Sequence, residues 1–238
     1  MQIWTISDIH GYKDAFQEIL IKIGFLDQEG NTINLPKDKK LILLGDYIDR
    51  GNQPFEVIML IKTLKEAYGD NVVALMGNHD SWIIRYLRGN NIQLNEERQQ
   101  TLDDIKGKEL DTGFKEVLDG LEYCHREEYG GQVYTFAHAM YIHEPKKPRD
   151  KNLMLYGLVF NGEKDEKGFP RRKEWYKTYD GRHGKVIFGH YSLDSEVTEF
   201  ENAVCIDTGV FKTGTLAAHE VISGETVYVK GYTPVRKE

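Results

Sequence analysis

Five short runs of this sequence each place a carboxylate, amide or imidazole side chain directly behind an apolar stretch. The runs are residues 7–11 (SDIHG), 45–51 (GDYIDRG), 77–80 (GNHD), 137–138 (AH) and 189–190 (GH). Strands that end in such residues bring polar groups to one edge of a sheet, which is where open α/β sheets bind their ligands. The repeated pattern therefore predicts a functional site built from five strand ends.

The residue types in these runs are suited to metal ions and to phosphate chemistry. Carboxylate, imidazole and amide donors without a thiolate favour Mn²⁺, with Fe²⁺ and Zn²⁺ as alternatives, over a structural zinc. Six residues are the predicted ligands of two divalent ions: Asp8, His10, Asp46, Asn78, His138 and His190. Asp46 is expected to bridge the ions, and Asp8 and His10 are expected to point the same way from an extended segment. Two such ions polarise phosphoryl oxygens and lower the pKa of a bridging water to make the attacking hydroxide, so the pattern predicts a phosphoesterase.

Three further residues of the same runs are predicted to act on the substrate. His79 follows Asn78 directly and cannot easily bind the same ion, so we expect it to protonate the leaving oxygen. Asp49 is the expected carboxylate partner that keeps His79 cationic, with Asp80 as the second choice. Arg50 offers a planar fork for two phosphate oxygens, and Asn78 is also expected to contact the substrate.

Several other residues can be explained by a structural role as well as, or better than, by a functional one. Arg171 and Arg172 are candidate substrate contacts, although a solvated basic turn accounts for them equally well. Cys124 and Cys205 are expected to be buried, reduced thiols. The histidines outside the five runs are interpreted as structural residues: His125, His143, His183 and His219.

The composition bounds the class of protein. With 238 residues the chain can form one sizeable core, and we expect a single domain over residues 1–238. A formal charge of −7 argues against a broad basic face for nucleic acid, but not against a nucleotide substrate held through cations. The chain enters a predicted strand at once and has no apolar run of membrane-spanning length. We therefore expect a cytoplasmic enzyme with no membrane partner.

The apolar pattern predicts the elements that position the five runs. Strands near 3–6, 41–44 and 72–76 alternate with helices, which is typical of a mainly parallel sheet covered by helices in an α/β protein. Further strands are predicted at 132–137, 185–189 and 203–207, followed by a hairpin of 216–222 and 226–229. A polar helical insertion at about 90–130 is expected to form a cap beside the site. It could set substrate choice, and plain structural packing explains it equally well.

At these runs the chain resembles the calcineurin-like metallophosphoesterases, and within them the phosphoprotein phosphatase family. It matches GDYIDRG in full, including Asp49, which symmetrical diadenosine tetraphosphate hydrolases usually lack. The C-terminal third is similar to two bacterial branches, the PrpE-type bis(5′-nucleosyl)-tetraphosphatases and the phosphatase module of polynucleotide kinase-phosphatases. The shared runs there include LYG at 155–157, NGE at 161–163, GFPRR at 168–172, YDG at 179–181 and IDTG at 206–209. The resemblance implies a sandwich of central mixed β-sheets flanked by helices, supports the ligand roles above, and adds Asp207 near the site.

Three loops beside the predicted ligands depart from the usual family sequences. The usual HAG or HGG reads HAM at 138–140, GHTP reads GHYS at 189–192, and GCVFGG reads GVFKTG at 209–214. Every predicted metal ligand is kept. The differences indicate that substrate choice depends on features outside the metal centre.

Three functions are compatible with this sequence. The leading hypothesis is hydrolysis of phosphate monoesters, as in serine/threonine-protein phosphatases, on a phosphoprotein or a small phosphoester. The alternative among enzymes is cleavage of a dinucleoside polyphosphate such as diadenosine tetraphosphate, or of a phosphate at a nucleic-acid end. The third is a metal-binding scaffold without catalysis, which would have no need for His79, Asp49 and Arg50.

Overall fold

The computed structural model describes residues 1–110, 113–164, 166, 168 and 170–232. Its strands are β1 (Gln2–Ile6), β2 (Lys39–Leu43), β3 (Val72–Ala74), β4 (Cys124–Tyr129), β5 (Gln132–Ala137), β6 (Val159–Lys164), β7 (Pro170–Arg172), β8 (Lys185–Phe188), β9 (Thr198–Glu199), β10 (Ala203–Cys205), β11 (Leu216–Glu220) and β12 (Thr226–Val229). Its α-helices are α1 (Lys13–Lys22), α2 (Pro54–Tyr68), α3 (Asn78–Leu87), α4 (Glu96–Ile105), α5 (Phe114–Asp119), α6 (Pro148–Tyr156) and α7 (Val210–Thr213). Among the described helices, none has the length and apolar character needed to cross a bilayer.

Two five-stranded mixed sheets form the centre of the molecule. The first has the order β12-β11-β1-β2-β3, in which β1, β2 and β3 are parallel to one another. The second has the order β4-β5-β8-β10-β9, in which β5, β8 and β10 are parallel. The predicted fold class, mixed sheets flanked by helices, is confirmed.

Alternating side chains on the strands bury both faces of the first sheet. Ile42 and Leu44 point to a cluster between the sheets, where they meet residues of the second sheet such as Phe136. Leu41 and Leu43 point the other way, into the cluster formed with α1 and α2. This period of two is what a strand buried on both faces requires, and it fixes the register that brings the strand ends together.

The predicted insertion is shorter than expected and is packed against the body of the protein. Helices α4 and α5 contact α2, and α5 also contacts α3. Residues 124–129, placed in the insertion by the sequence analysis, instead form β4, which pairs with β5 at the edge of the second sheet. The turn between them, Gly130-Gly131, has positive φ at both residues (60° and 79°), as tight hairpins need. Cys124, in this edge strand, is only half-buried, whereas Cys205 is buried as predicted.

Candidate active site

The structure brings the six predicted ligands together at the carboxyl ends of β1, β2, β3, β5 and β8. Four of them are at most 3% exposed: Asp8, His10, Asp46 and His138. Asn78 and His190 are partly exposed and line a cavity of about 90 Å³, together with Arg50, His79 and Arg172. The cavity is small and is lined by carboxylate, amide, imidazole and guanidinium groups, which suit ions and phosphate oxygens.

Asp46 lies at the centre of the cluster. Its Oδ2 is 3.7 Å from His10 Nε2 and 3.5 Å from His138 Nε2, while its Oδ1 accepts a hydrogen bond of 2.9 Å from the backbone N–H of His79. Two groups of potential ligands, His10 with His79 and His138 with His190, share this one carboxylate, and within each group the donor atoms lie within 4.8 Å of one another. The arrangement is the one that a carboxylate bridging two ions requires.

The imidazoles are held so that their lone pairs face the cluster. His10 Nδ1 donates to the carbonyl of Ile48 and His138 Nδ1 to the carbonyl of Leu44, each at 2.9 Å. Each ring therefore turns its Nε2 toward Asp46, as metal-binding histidines do when Nδ1 is held by a carbonyl. Burial, reinforced by the positive Arg50, lowers the pKa of His10 well below its ordinary value, so this ring is neutral.

Potential ligand atoms are crowded together in the cluster. Both Asn78 Oδ1 and His190 Nδ1 lie 3.1 Å from His138 Nε2, and the buried His190 Nε2 has no hydrogen-bond partner among the described residues. Burial also raises the pKa of Asp46 well above its usual range, an effect that Asp8 reinforces. The residues present therefore fit two divalent ions, one beside Asp8, His10 and Asp46, and one among Asp46, Asn78, His138 and His190.

The backbone of the site is strained at the functional residues. In the described part of the chain, seven of the eight non-glycine residues with positive φ lie in or beside the cluster. They are Asp8, His10, Asp46, Asp49, Arg50, His190 and Ser192, with φ between 42° and 69°. Left-handed backbone at ordinary residues costs about 1–3 kcal/mol each and is typical of functional sites.

The left-handed backbone contradicts the expectation that the segment containing Asp8 and His10 is extended. Their φ values are 51° and 49°, so the segment is not extended, although the two side chains still approach each other, with Asp8 Oδ1 at 3.9 Å from His10 Nε2. The reason is a set of backbone hydrogen bonds to the neighbouring loop. Asp8 N–H donates to Gly45 and His10 N–H to Asp46, which turns the segment over the end of β2.

Two glycines allow the loops to approach one another. A Cβ at Gly77 would overlap Asp46 Oδ1, and a Cβ at Gly189 would overlap Ser7 Oγ and Asp8 Oδ2. The glycines that precede Asn78 and His190 are therefore needed for close packing around the carboxylates rather than for flexibility.

His79 is fixed by a carboxylate that is itself held on several sides. Its Nδ1 lies 2.6 Å from Asp49 Oδ2, which also accepts a bond of 2.7 Å from the Trp82 indole, while Thr101 donates to Asp49 Oδ1 at 2.5 Å. Burial opposes the charge of His79, but the carboxylates of Asp46 and Asp49 outweigh it and raise its pKa. The geometry suits a histidine that carries a proton into the cavity.

Asp80, the second candidate as partner of His79, binds backbone N–H groups instead. Its carboxylate accepts hydrogen bonds of 2.8–3.0 Å from the N–H groups of Asp46, Tyr47 and Gly77. It therefore ties the loop after β2 to the start of α3, and it positions Asp46 through the main chain.

Of the three arginines predicted to contact substrate, Arg50 and Arg172 line the cavity and Arg171 does not. Arg50 lines the cavity, with Nη2 at 3.2 Å from His79 Nε2 and its guanidinium 3.7 Å from the ring centre of Phe211. Arg172 also lines it and donates to the carbonyl of His190 at 3.1 Å. Arg171 pairs instead with Glu163 at 2.9 Å on the surface and is not among the cavity residues.

Asp207, implied by resemblance, lies behind the cavity. Its Oδ2 accepts bonds of 2.7 Å from the N–H and the hydroxyl of Ser192, and its Oδ1 accepts one of 2.8 Å from Gly209. Burial, with the neighbouring Asp8, raises the pKa of Asp207 to about 6. It holds the loop that follows His190.

Sequence reasoning missed the residues that support the site from a distance. Trp82 and Thr101 bind Asp49, Phe211 stacks on Arg50, and Ser192 lines the cavity. Two of these had a local signal, since Ser192 lies two residues after His190 and Trp82 lies three residues after His79 on α3. Thr101 and Phe211 reach the site across the fold, and no spacing in the sequence reveals that.

Comparison with known proteins identifies the family. Residues 1–223 match the family model described as calcineurin-like phosphoesterase. The chain belongs to the calcineurin-like phosphoesterase family. It is therefore a metal-dependent hydrolase that acts on phosphoester bonds, and both the predicted family and the predicted enzyme class are confirmed.

The chain is also similar to named relatives and to solved structures. It is 29% identical to the asymmetrical bis(5′-nucleosyl)-tetraphosphatase PrpE of Anoxybacillus flavithermus over 96% of this chain and 94% of that protein. It is 27% identical to the PrpE of Bacillus subtilis with the same coverage. A solved structure of a candidate diadenosine tetraphosphatase shares its fold with a TM-score of 0.67, at 19% identity and with 97% of this chain and 94% of that one covered. A serine/threonine phosphatase from Saccharomyces cerevisiae has a TM-score of 0.63 at 14% identity, with 97% and 80% covered.

Proposed function

We propose that this phosphoesterase hydrolyses dinucleoside tetraphosphates and cleaves one phosphoanhydride bond asymmetrically. The observation that carries the proposal is the similarity to PrpE tetraphosphatases along nearly the whole of both chains. From the sequence alone, hydrolysis of phosphate monoesters is the leading hypothesis and this reaction is part of the alternative. The relatives favour the alternative.

The charges lining the cavity support a substrate with several phosphates. Arg50 and Arg172 both reach the catalytic cavity, one beside His79 and the other beside His190. Guanidinium groups pair with phosphate oxygens in a bidentate fashion, so two of them can hold adjacent phosphates of a chain. A monoester offers only one such group.

The ligand roles proposed from the sequence agree with the geometry. Asp8, His10 and Asp46 would hold one ion, and Asp46, Asn78, His138 and His190 the other. When bound, divalent ions would polarise the phosphoryl oxygens and make water more acidic. We propose Mn²⁺ as the native metal, with Fe²⁺ and Zn²⁺ as alternatives. A cytoplasmic location and a single domain over residues 1–238 likewise stay predictions.

The chain's own residues would orient the phosphates and manage the proton. Hydrolysis forms a bond from the water oxygen to phosphorus and breaks the bond from that phosphorus to the bridging oxygen. His79 Nε2 faces the cavity while Nδ1 is held by Asp49, so its proton is available to the departing oxygen. Arg50, in contact with His79, would hold the same phosphate.

One observation favours phosphomonoesters as a second candidate activity. The His79–Asp49 pair is fully formed, and a general acid helps an alkoxide leaving group far more than it helps a nucleotide. An enzyme that acted only on anhydrides would need this pair less. Activity on both classes of bond is therefore expected, with the anhydride preferred.

The test is a substrate panel with the manganese-loaded protein. The panel contains diadenosine tetraphosphate, phosphoserine and phosphothreonine peptides, a 3′-phosphorylated oligonucleotide and p-nitrophenyl phosphate. We expect the highest kcat/KM on diadenosine tetraphosphate, with ATP and AMP as products in chromatography. The Asp46→Asn variant, prepared identically, controls for contaminating hydrolases. Two molecules of ADP would contradict asymmetric cleavage, and a higher kcat/KM on a phosphopeptide would restore the monoester hypothesis.

A further inference from the structure

A second and larger cavity opens beside the second sheet. We name it the aromatic cavity after the residues that characterise it: Met140, Tyr141, His143, Trp175, Tyr179 and His183. Its volume is about 390 Å³, compared with about 90 Å³ for the catalytic cavity. This size falls within the range of about 300–1,000 Å³ that is usual for small-molecule sites.

The walls of the aromatic cavity are continuations of the segments that carry the catalytic site. Met140 lies two residues after His138, which limits the distance between their Cα atoms to about 7 Å. Trp175 lies three residues after Arg172, within about 11 Å of it, and its indole donates to the carbonyl of Ala139 at 3.2 Å. The Cα atoms of Arg172, in the lining of the catalytic cavity, and of Trp175, in that of the aromatic cavity, are therefore at most about 11 Å apart.

The side chains present flat ring faces. His143 and His183 are stacked, with ring centres 4.7 Å apart and an angle of 18°, and Tyr141 lies 5.8 Å from His183. The Trp175 indole N–H is used by Ala139, and the Tyr179 hydroxyl donates to Gly184 and accepts from His183 N–H. Ring faces are available for stacking, and the imidazole nitrogens and the Asp180–Arg182 pair provide polar groups among the lining residues. Stacking on aromatic side chains is how proteins bind nucleobases without demanding a particular base.

We propose that the aromatic cavity binds one nucleobase of the dinucleoside polyphosphate while the phosphates occupy the catalytic cavity. The identity of this ligand rests on the proposed function. The histidines His143 and His183, interpreted as structural from the sequence, become part of a substrate subsite. The loop departure at Met140 then lies where it can influence substrate choice.

Binding of adenosine tests the aromatic cavity without catalysis. Adenosine carries no phosphate, so in the metal-free protein its binding cannot come from the catalytic cavity. Thr178 is an exposed residue of the lining, and Thr178→Trp should fill the space. The matched control is Thr63→Trp, an exposed position on α2 that is not part of the lining. We expect adenosine signals in saturation-transfer NMR with the wild type and Thr63→Trp, and their loss in Thr178→Trp.

Ring removal provides a second route if the filled variant does not fold. His143→Ala and His183→Ala should each weaken adenosine binding about five- to a hundredfold, the range measured for stacking of one base. Absence of adenosine binding to the wild type, or equal binding by all variants, would overturn the proposal.

Kinetics separate this proposal from the proposed function. Thr178→Trp should raise KM for diadenosine tetraphosphate at least about tenfold and leave p-nitrophenyl phosphate turnover within about twofold, because only the first substrate has a base. Equal loss on both substrates would show a structural role for the cavity. If the wild type fails to cleave diadenosine tetraphosphate but Thr178→Trp abolishes adenosine binding, the proposed function fails and the base subsite stands.

Discussion

His79 is oriented through Nδ1 by Asp49, while the Arg50 guanidinium lies 3.2 Å from its Nε2. We expect His79→Ala to lose about two to four orders of magnitude in kcat on phenyl phosphate, the worth of a positioned general acid. The loss should be much smaller on p-nitrophenyl phosphate, whose leaving group needs no proton. Paired steady-state assays on these two substrates of similar shape measure the difference.

Two controls test the role of His79: the metal content of His79→Ala and the activity of a variant of its partner, Asp49. Inductively coupled plasma mass spectrometry should find the same metal in His79→Ala as in the wild type, because His79 is proposed as an acid and not as a ligand. Asp49→Asn should show a weaker version of the same defect, since it only orients and charges the ring. Equal loss on both aryl phosphates, or loss of a metal, would contradict the assignment.

Phe211 is a positioning residue for Arg50. Its ring lies 3.7 Å from the guanidinium and 5.4 Å from the His10 ring. Such a cation–π contact contributes about 0.5–2 kcal/mol, so Phe211→Ala should raise KM about two- to thirtyfold with little change in kcat. Phe211→Tyr keeps the ring face and should restore KM. A drop in kcat alone, or the same KM in both variants, would exclude this role.

At the scale of elements, α4 supports the site through one buried hydroxyl. Thr101 is 1% exposed and donates to Asp49 Oδ1, so the helix contributes to the group that orients His79. Thr101→Val keeps the shape of the side chain but removes the donor, which costs about 1–3 kcal/mol when a buried acceptor is left unpaired. We expect a lower free energy of unfolding in urea titrations and a lower kcat on every substrate.

Two further variants test whether the lost hydroxyl causes these changes. Thr101→Ser retains the hydroxyl and should recover kcat, whereas Thr63→Val, at an exposed site on α2, should change neither quantity. These contacts favour structural packing over substrate selection as the task of α4 and α5. A change in the ratio of kcat/KM between large and small substrates, with unchanged stability, would favour selection instead.

The hairpin of β11 and β12 is joined to β1 through Glu220. Its Oε1 accepts from the N–H of Ile3 at 2.7 Å and its Oε2 from the N–H of Ser223 at 2.6 Å. Burial alone would raise the pKa of this carboxyl, but these bonds to the ionised form outweigh it and lower the pKa. Because the folded pKa lies below the unfolded one, the stabilisation is present above about pH 4.3 and is lost as the pH falls through the folded pKa.

Glu220→Gln should therefore flatten the acid limb of the stability profile. We expect the free energy of unfolding of the variant to fall less than that of the wild type between about pH 5 and pH 3, measured by urea titration. Parallel profiles for the two proteins would show that Glu220 does not contribute to the acid sensitivity.

Elements with a strong local signal could be predicted from the sequence, and others could not. Pro54 at the start of α2 and the apolar runs of β1 and β2 are local features, and all three elements lie where they were expected. Strand β4 is an edge strand with polar side chains, so it lacks the apolar alternation that identifies a strand. The double glycine after it is a hairpin signal, although the hairpin of β4 and β5 was not predicted.

The site residues likewise divide into those with a local sequence signal and those that reach the site through distant contacts. The six proposed ligands could be named because each follows closely after one of five strands, whereas Phe211 and Thr101 approach through the tertiary fold. The left-handed backbone at Asp8 and His10 depends on hydrogen bonds to the loop after β2, which the sequence does not display.

At the scale of the whole molecule, metal binding and folding should be coupled. The proposed ligands come from both central sheets, so the complete set exists only when the two sheets are packed together. A ligand that binds only the folded state stabilises it by mass action, about 2.7 kcal/mol at a hundredfold excess over Kd. We expect Mn²⁺ to raise Tm in differential scanning fluorimetry, and Asp46→Asn to abolish that rise. An unchanged Tm in the wild type would contradict the coupling.

The most direct test of the account is anomalous diffraction from crystals grown with Mn²⁺, recorded at the manganese absorption edge. We expect two peaks about 3.5–4 Å apart with the Asp46 carboxylate between them. Asp8 and His10 should lie on one peak, and Asn78, His138 and His190 on the other. A single peak, or two peaks that do not share Asp46, would contradict the two-ion site.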